Sequence, residues 1–256
     1  MKVKSLILFS IHIIRIQLMK ILFPFFFLLN CTWGQKCLTG DCLNGKGIYL
    51  YANGDKYSGS FKEGVKHGEG ELYFKNGNHY SGTFTEGRIE GFGTFLKKNV
   101  FNYVGWIINE EASGFGEISY DNGNHYKGNF SKNKKSGSGV FTYANGDVYA
   151  GLFLNDEMNG LGSFTRIDGS VYVGNFIKNQ RSGYGNLKFK DGANYKGNFE
   201  RNKMQGIGKY TWTSGDSYNG EWKSNKRDGK GVYISVDGTK YNCVWKNNKL
   251  VNYTKV

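Results

Sequence analysis

Tyrosines stand at 57, 80, 103, 126, 149, 172, 195, 218 and 241, each 23 residues after the last, with no insertion or deletion between them. A strict period this short dictates that every unit takes the same local structure and meets its neighbours in the same way. The chain is therefore a stack of supersecondary units and not one globule around a central core. With each tyrosine as position 1, position 3 is glycine from Gly59 to Gly220 and becomes Cys243 in the last unit. Position 5 is aromatic from Phe61 to Trp245, except at Ile107, which follows a displaced Trp106. Positions 12 and 14 are glycine from Gly68 and Gly70 to Gly229 and Gly231.

Positions 1, 3 and 5 alternate on one strand and positions 12, 14, 16 and 18 on the next, so rings and glycines share one face of a β-hairpin. A ring lies flat over a neighbouring strand only where that strand has no side chain, and the Gly-x-Gly pair offers two such places. Positions 20 and 21 supply turn dipeptides such as Asn53-Gly54, Asn145-Gly146 and Asp191-Gly192, from which Asn99-Val100 alone departs. Positions 6 to 11 are left as a six-residue loop inside each hairpin. One hairpin is marginal in water, so the units must share a continuous ladder. The expected fold is all-β: an elongated, twisted single-layer antiparallel sheet of tandem 23-residue hairpins, nine units spanning roughly 85 Å before twist.

Composition agrees. The chain has 38 glycines against one proline, yet 16% of it is aromatic, too much for disorder, and no G-X-Y triplet recurs. Residues 57–240 hold eight full repeats. Residues 35–56 are a degenerate capping repeat that keeps Gly45, Gly47, Tyr49, Tyr51 and Gly54, and 241–256 are a truncated repeat and tail. Atypical ends are what stacked repeats need as caps.

The Tyr-x-Gly-x-aromatic strand, the Gly-x-Gly and the turn glycine at 23-residue spacing resemble the MORN (membrane occupation and recognition nexus) repeat over residues 40 to 250. The resemblance implies a scaffold, a dimerisation module or a membrane-proximal adaptor, and does not itself imply an activity; the expectation from the residues is no enzyme and no cofactor.

Residues 1–34 read as a targeting segment. Leu6 to Leu29 is apolar but contains Arg15 and Lys20, which oppose a continuous membrane span. Met19-Lys20 followed by Ile21 to Leu29 makes a secretory signal whose true start is Met19. Thr32 and Gly34 suit cleavage before Gln35 and release. Leu28-Leu29-Asn30-Cys31 resembles a relaxed lipobox in which Cys31 would be lipidated and the protein anchored. Both outcomes place the folded part outside the cytoplasm, secreted, periplasmic or at the envelope. Cys37 and Cys42 are there either a small disulfide loop or two thiols.

Little of the chain suggests catalysis. His79 and His125 lie two repeats apart and cannot share a metal, and no acid and base pair recurs at a useful spacing. The net charge is +13; four cations and no acid lie in residues 1–34, leaving +9 for the rest. The segments 85–90, 108–113 and 154–159 are acidic. The other hairpin loops form an expected basic edge: Lys132, Lys134, Lys135, Lys178, Arg181, Arg201, Lys203, Lys226 and Arg227. Such an edge either meets an anionic membrane surface or blunts the sheet against aggregation. The expected partner is a protein or envelope component, or a second copy of the chain, and export argues against nucleic acid.

Overall fold

A computed structural model describes residues 35–256, which contain strands and turns only. Twenty strands, β1 to β20, run from β1 (Lys36–Gly40) and β2 (Lys46–Leu50) to β19 (Lys240–Lys246) and β20 (Lys249–Lys255). Each strand pairs antiparallel with the next in sequence, from β1 with β2 and β2 with β3 (Lys56–Lys62) through to β19 with β20. The result is one open meander of hairpins, without crossovers. The six-residue loop expected inside each hairpin is instead a two-residue turn. Glu63 (φ 53°) and Gly64 (φ 76°) join β3 directly to β4 (Val65–Tyr73). Both turn residues have positive φ, the turn whose twist matches that of paired strands. Later units use Asn133, Asn179, Asn202, Asn225 and Asn248 at the second place, φ 65° to 70°.

The missing loop residues are absorbed by a bulge. Phe61 pairs with Lys66 and Gly59 with Gly70, so three residues of β4 face one of β3. Gly68, at position 12, sits in that bulge with φ 65°. Its role is backbone conformation, and a Cβ there would meet only Ser60 at 3.7 Å. The ring therefore does not lie over both glycines of the Gly-x-Gly. It covers positions 3 and 14: a Cβ on Gly59 or Gly70 would collide with the Tyr57 ring, and one on Gly116 would reach the Tyr103 ring at 2.7 Å. From that seat the tyrosine hydroxyl donates to the carbonyl of position 4, as Tyr57 does to Ser60 at 2.9 Å and Tyr149 to Leu152 at 2.9 Å.

The last unit is a natural control. Cys243 occupies position 3, is buried, and leaves no room for a ring, and Tyr241 makes no hydrogen bond to Val244. Its ring lies toward Tyr253 instead, 6.0 Å away.

One face of the sheet is thus tiled by rings. Each position-1 tyrosine meets the position-5 ring of the following unit edge-on at 4.9 to 5.3 Å along most of the ribbon. Such contacts are worth about 0.5–1.5 kcal/mol beyond their burial. Tyr57, Tyr80, Tyr126, Tyr149, Tyr195 and Tyr218 are fully buried within this single layer.

A candidate binding groove on the ring face

Two hydrogen-bond ladders hold the edges of the ring face. On the hairpin-turn side, Asn179 N–H donates to the Met158 carbonyl (3.0 Å) while Met158 N–H donates to Asn179 Oδ1 (2.8 Å). Asn202 clamps Arg181, Asn225 clamps Met204 and Asn248 clamps Arg227 in the same way. On the opposite side, Asp147 Oδ1 accepts from Ile167 N–H and Asp216 Oδ1 from Val236 N–H, turn to turn. The sequence carries this signal as a recurrent Asn at position 8, which spacing of the rings alone does not expose.

The nine residues expected to form one basic edge fall into two places. Lys132, Lys134, Lys178, Arg201, Lys203 and Lys226 are exposed at or beside the turns. Lys135, Arg181 and Arg227, at position 10, are half-buried strand residues turned onto the ring face, because the two-residue turn starts the second strand earlier than a long loop would. Lys135 Nζ lies 5.3 Å from the Phe141 ring centre and 3.5 Å from Asp156 Oδ1. The Arg181 guanidinium sits between Tyr172 and Phe199 at 5.5 and 5.4 Å, and that of Arg227 stacks on Trp245 at 3.6 Å. Cys37 and Cys42 are joined by a disulfide, with Cα atoms 6.0 Å apart, and Cys31 lies outside the described residues. His79 and His125 are half-buried beside Glu71 (3.9 Å) and Glu117 (2.8 Å) rather than solvated. No cluster among the described residues has the three His, Cys, Asp or Glu side chains a metal would need.

The tiling fails in one unit. In β7 (Phe101–Ile108), Ile107 replaces the position-5 ring, and Trp106 is exposed on the opposite face, 5.9 Å from Phe92. In β8 (Glu111–Tyr120), Ala112 stands at position 10, where every other unit has a longer side chain, Lys, Ile, Met, Arg or Leu. Two short side chains in register leave a hollow of about 540 Å³. Phe95, Phe101, Tyr103, Ile118 and Phe130 wall it, with Glu110, Lys135 and Asp156 at its rim. That volume falls within the range of ligand pockets, about 300–1,000 Å³.

The MORN repeat profile matches residues 43–56, 57–79, 80–99, 126–148, 149–171, 172–193, 195–217 and 218–240. The chain belongs to the MORN repeat family. The stretch left unmatched between 99 and 126 is the unit whose ring face is hollow. A MORN chain of this kind is a repeat scaffold or binding module. Its fold is similar to the TCP10 domain of Danio rerio CPAP, solved in complex with a peptide of Danio rerio STIL. That likeness has 14% identity and a TM-score of 0.50, covering 87% of this chain and 98% of that chain. A further structure of the wild-type TCP10 domain of Danio rerio CPAP matches at 13% identity and TM-score 0.45, covering 82% of this chain and 99% of that one. No curated protein matches the sequence.

Proposed function

We propose that this MORN ribbon is a non-enzymatic, exported scaffold that binds an extended polypeptide along its ring face, with a bulky apolar side chain seated in the hollow at residues 103–125. The observation that carries this reading is the 540 Å³ hollow itself, apolar inside and charged at the rim, where the ring tiling is interrupted at Ile107. The peptide held by the similarly folded TCP10 domain of Danio rerio CPAP supports it by analogy of fold. A random peptide library selected on the immobilised chain tests it. The chain should retain peptides with an aromatic or leucine anchor, and Ile107→Phe with Ala112→Met should lose them while melting no lower. Equal selection by both proteins overturns the hollow as the seat. For export, mass spectrometry of the mature N-terminus should find Gln35 or a lipidated Cys31 first; a retained Met1 or Met19 overturns it.

A second reading rests on the six exposed cations beside the turns, which share one edge. Each cation near an anionic leaflet is worth about 1 kcal/mol. Neutralising Lys132, Lys134, Lys178, Arg201, Lys203 and Lys226 should abolish vesicle binding and leave the fold intact. Binding that persists, or that ignores salt, removes this edge from consideration.

A further inference from the structure

Position 10 of the ring face alternates along the second half of the ribbon: Lys135, Met158, Arg181, Met204, Arg227. The methionines show that the packing role of this position needs no charge. Lys135 is neutralised by Asp156, and Arg227 lies flat on Trp245. Arg181 has no acid, and the rings it sits between, Tyr172 and Phe199, lie at 5.5 and 5.4 Å, a looser contact than that of Arg227. No carboxylate among the described residues is within ion-pair distance of it, and of its five N–H donors one, at Nη2, reaches a protein acceptor, the Asn202 carbonyl at 2.8 Å. Burial pushes its guanidinium below the ordinary value, and the like charge of Arg166 pushes it the same way. Asp168, the acid that feels Arg166, is engaged by the Ser170 hydroxyl at 2.7 Å and the Ser170 amide at 2.8 Å. A half-buried cation without a counter-charge is costly, and it remains charged because arginine does not give up its proton.

The surroundings of Arg181 have the form of a site. Hollows of about 320 and 310 Å³ flank it, and Arg166, Ser170, Arg181, Leu187 and Asn202 line both. Their further walls combine apolar side chains with a clamping amide, Phe164 and Met158 with Asn179 on one side, Phe199 and Met204 with Asn225 on the other. A ligand filling them would set an anion on the guanidinium with apolar groups on both sides. We infer that Arg181, with Arg166, forms a carboxylate subsite of the ring face, taking an Asp or Glu side chain flanked by apolar residues in an extended peptide. This rests on the peptide-binding reading above and adds to it the charge of the partner. A peptide fits better than a membrane, because Arg181 is recessed between rings while exposed Lys178 and Arg201 stand at the turns.

Selecting the same random dodecapeptide library on the full chain and on Arg181→Met tests this. Methionine occupies the equivalent place in two units, so the variant should keep its fold, which a thermal melt checks. Peptides from the wild type should be enriched in one acidic residue between apolar ones. Their affinity should fall about ten- to hundredfold in Arg181→Met, the loss expected for a charge-assisted hydrogen-bonded pair, and recover in part in Arg181→Lys. Peptides whose acidic content and affinity are the same on both proteins overturn the subsite and leave the peptide groove standing. A wild-type chain that selects no peptide overturns both. Arg181-dependent sedimentation with phosphatidylglycerol vesicles, without peptide selection, overturns the peptide assignment in favour of a lipid headgroup.

Discussion

From 126 to 240 the units repeat ring, glycine, clamp and long position-10 side chain with little change, whereas the unit at 103–125 keeps the glycines and alters the other three at once. Ile107 stands for the ring, Glu110 for the clamping Asn, and Ala112 for the long position-10 side chain. Its backbone is nevertheless undisturbed. Gly105 pairs with Gly116 as Gly128 does with Gly139, and the Tyr103 hydroxyl donates to the Trp106 carbonyl at 2.8 Å. The fold is thus specified in two separable layers. Tyrosine, the glycines at positions 3 and 14, and the ladder fix the sheet; positions 5 and 10 only fill its face. The second layer is free to open a hollow without endangering the first.

Alkaline pH should produce the largest effect and should not distinguish the two regions. Burial raises Tyr57, Tyr80, Tyr103, Tyr126, Tyr149, Tyr172 and Tyr218 from 10 to about 12. The fold favours the neutral phenol, so this contribution is complete below pH 10 and is lost as pH rises from 10 to 12. Circular dichroism and phenolate absorbance should change together in that window, and ionisation near pH 10 with the sheet intact would contradict the buried rings. Next, Gly139→Val and Gly116→Val should each cost about 3 kcal/mol or more in denaturant unfolding, because both place side-chain atoms inside a tyrosine ring. A tolerated Gly116→Val would mean that the irregular unit differs in backbone as well as in filling.

Asn179→Ala removes the acceptor of the Met158 amide and should lower stability by about 1–2 kcal/mol. Glu110→Asn should instead raise it, by supplying a clamp the irregular unit lacks, and a fall would show that Glu110 already does that work. Ile107→Phe should restore the ring contact and add about 0.5–1.5 kcal/mol, read as a higher melting temperature. Lys132→Ala, exposed in a turn, should stay within about 0.5 kcal/mol of wild type.

The sheet and its register were legible because one residue type recurs at one interval; the ring-over-glycine contact needed only steric size. The error over positions 6 to 11 has a plain cause. A two-residue turn with a three-residue bulge uses the same chain length as an open loop, and composition does not separate them. That error carried Lys135, Arg181 and Arg227 to the wrong place, since a shorter turn puts position 10 into a strand opposite position 5. Ile107 was visible as an exception, but its consequence depended on Ala112 lying in register with it, which only strand pairing reveals.

A unit of two strands advances about 9.6 Å along the ribbon, while an extended peptide presents same-side residues every 6.6 Å or so. Two units and three such steps differ by less than about 1 Å, so ribbon and ligand would act as a vernier, coming into phase at alternate units and not at each one. Lys135, Arg181 and Arg227 stand at that double interval, 46 residues apart. A sequence built on a period of 23 therefore offers its guest a ruler marked in 46.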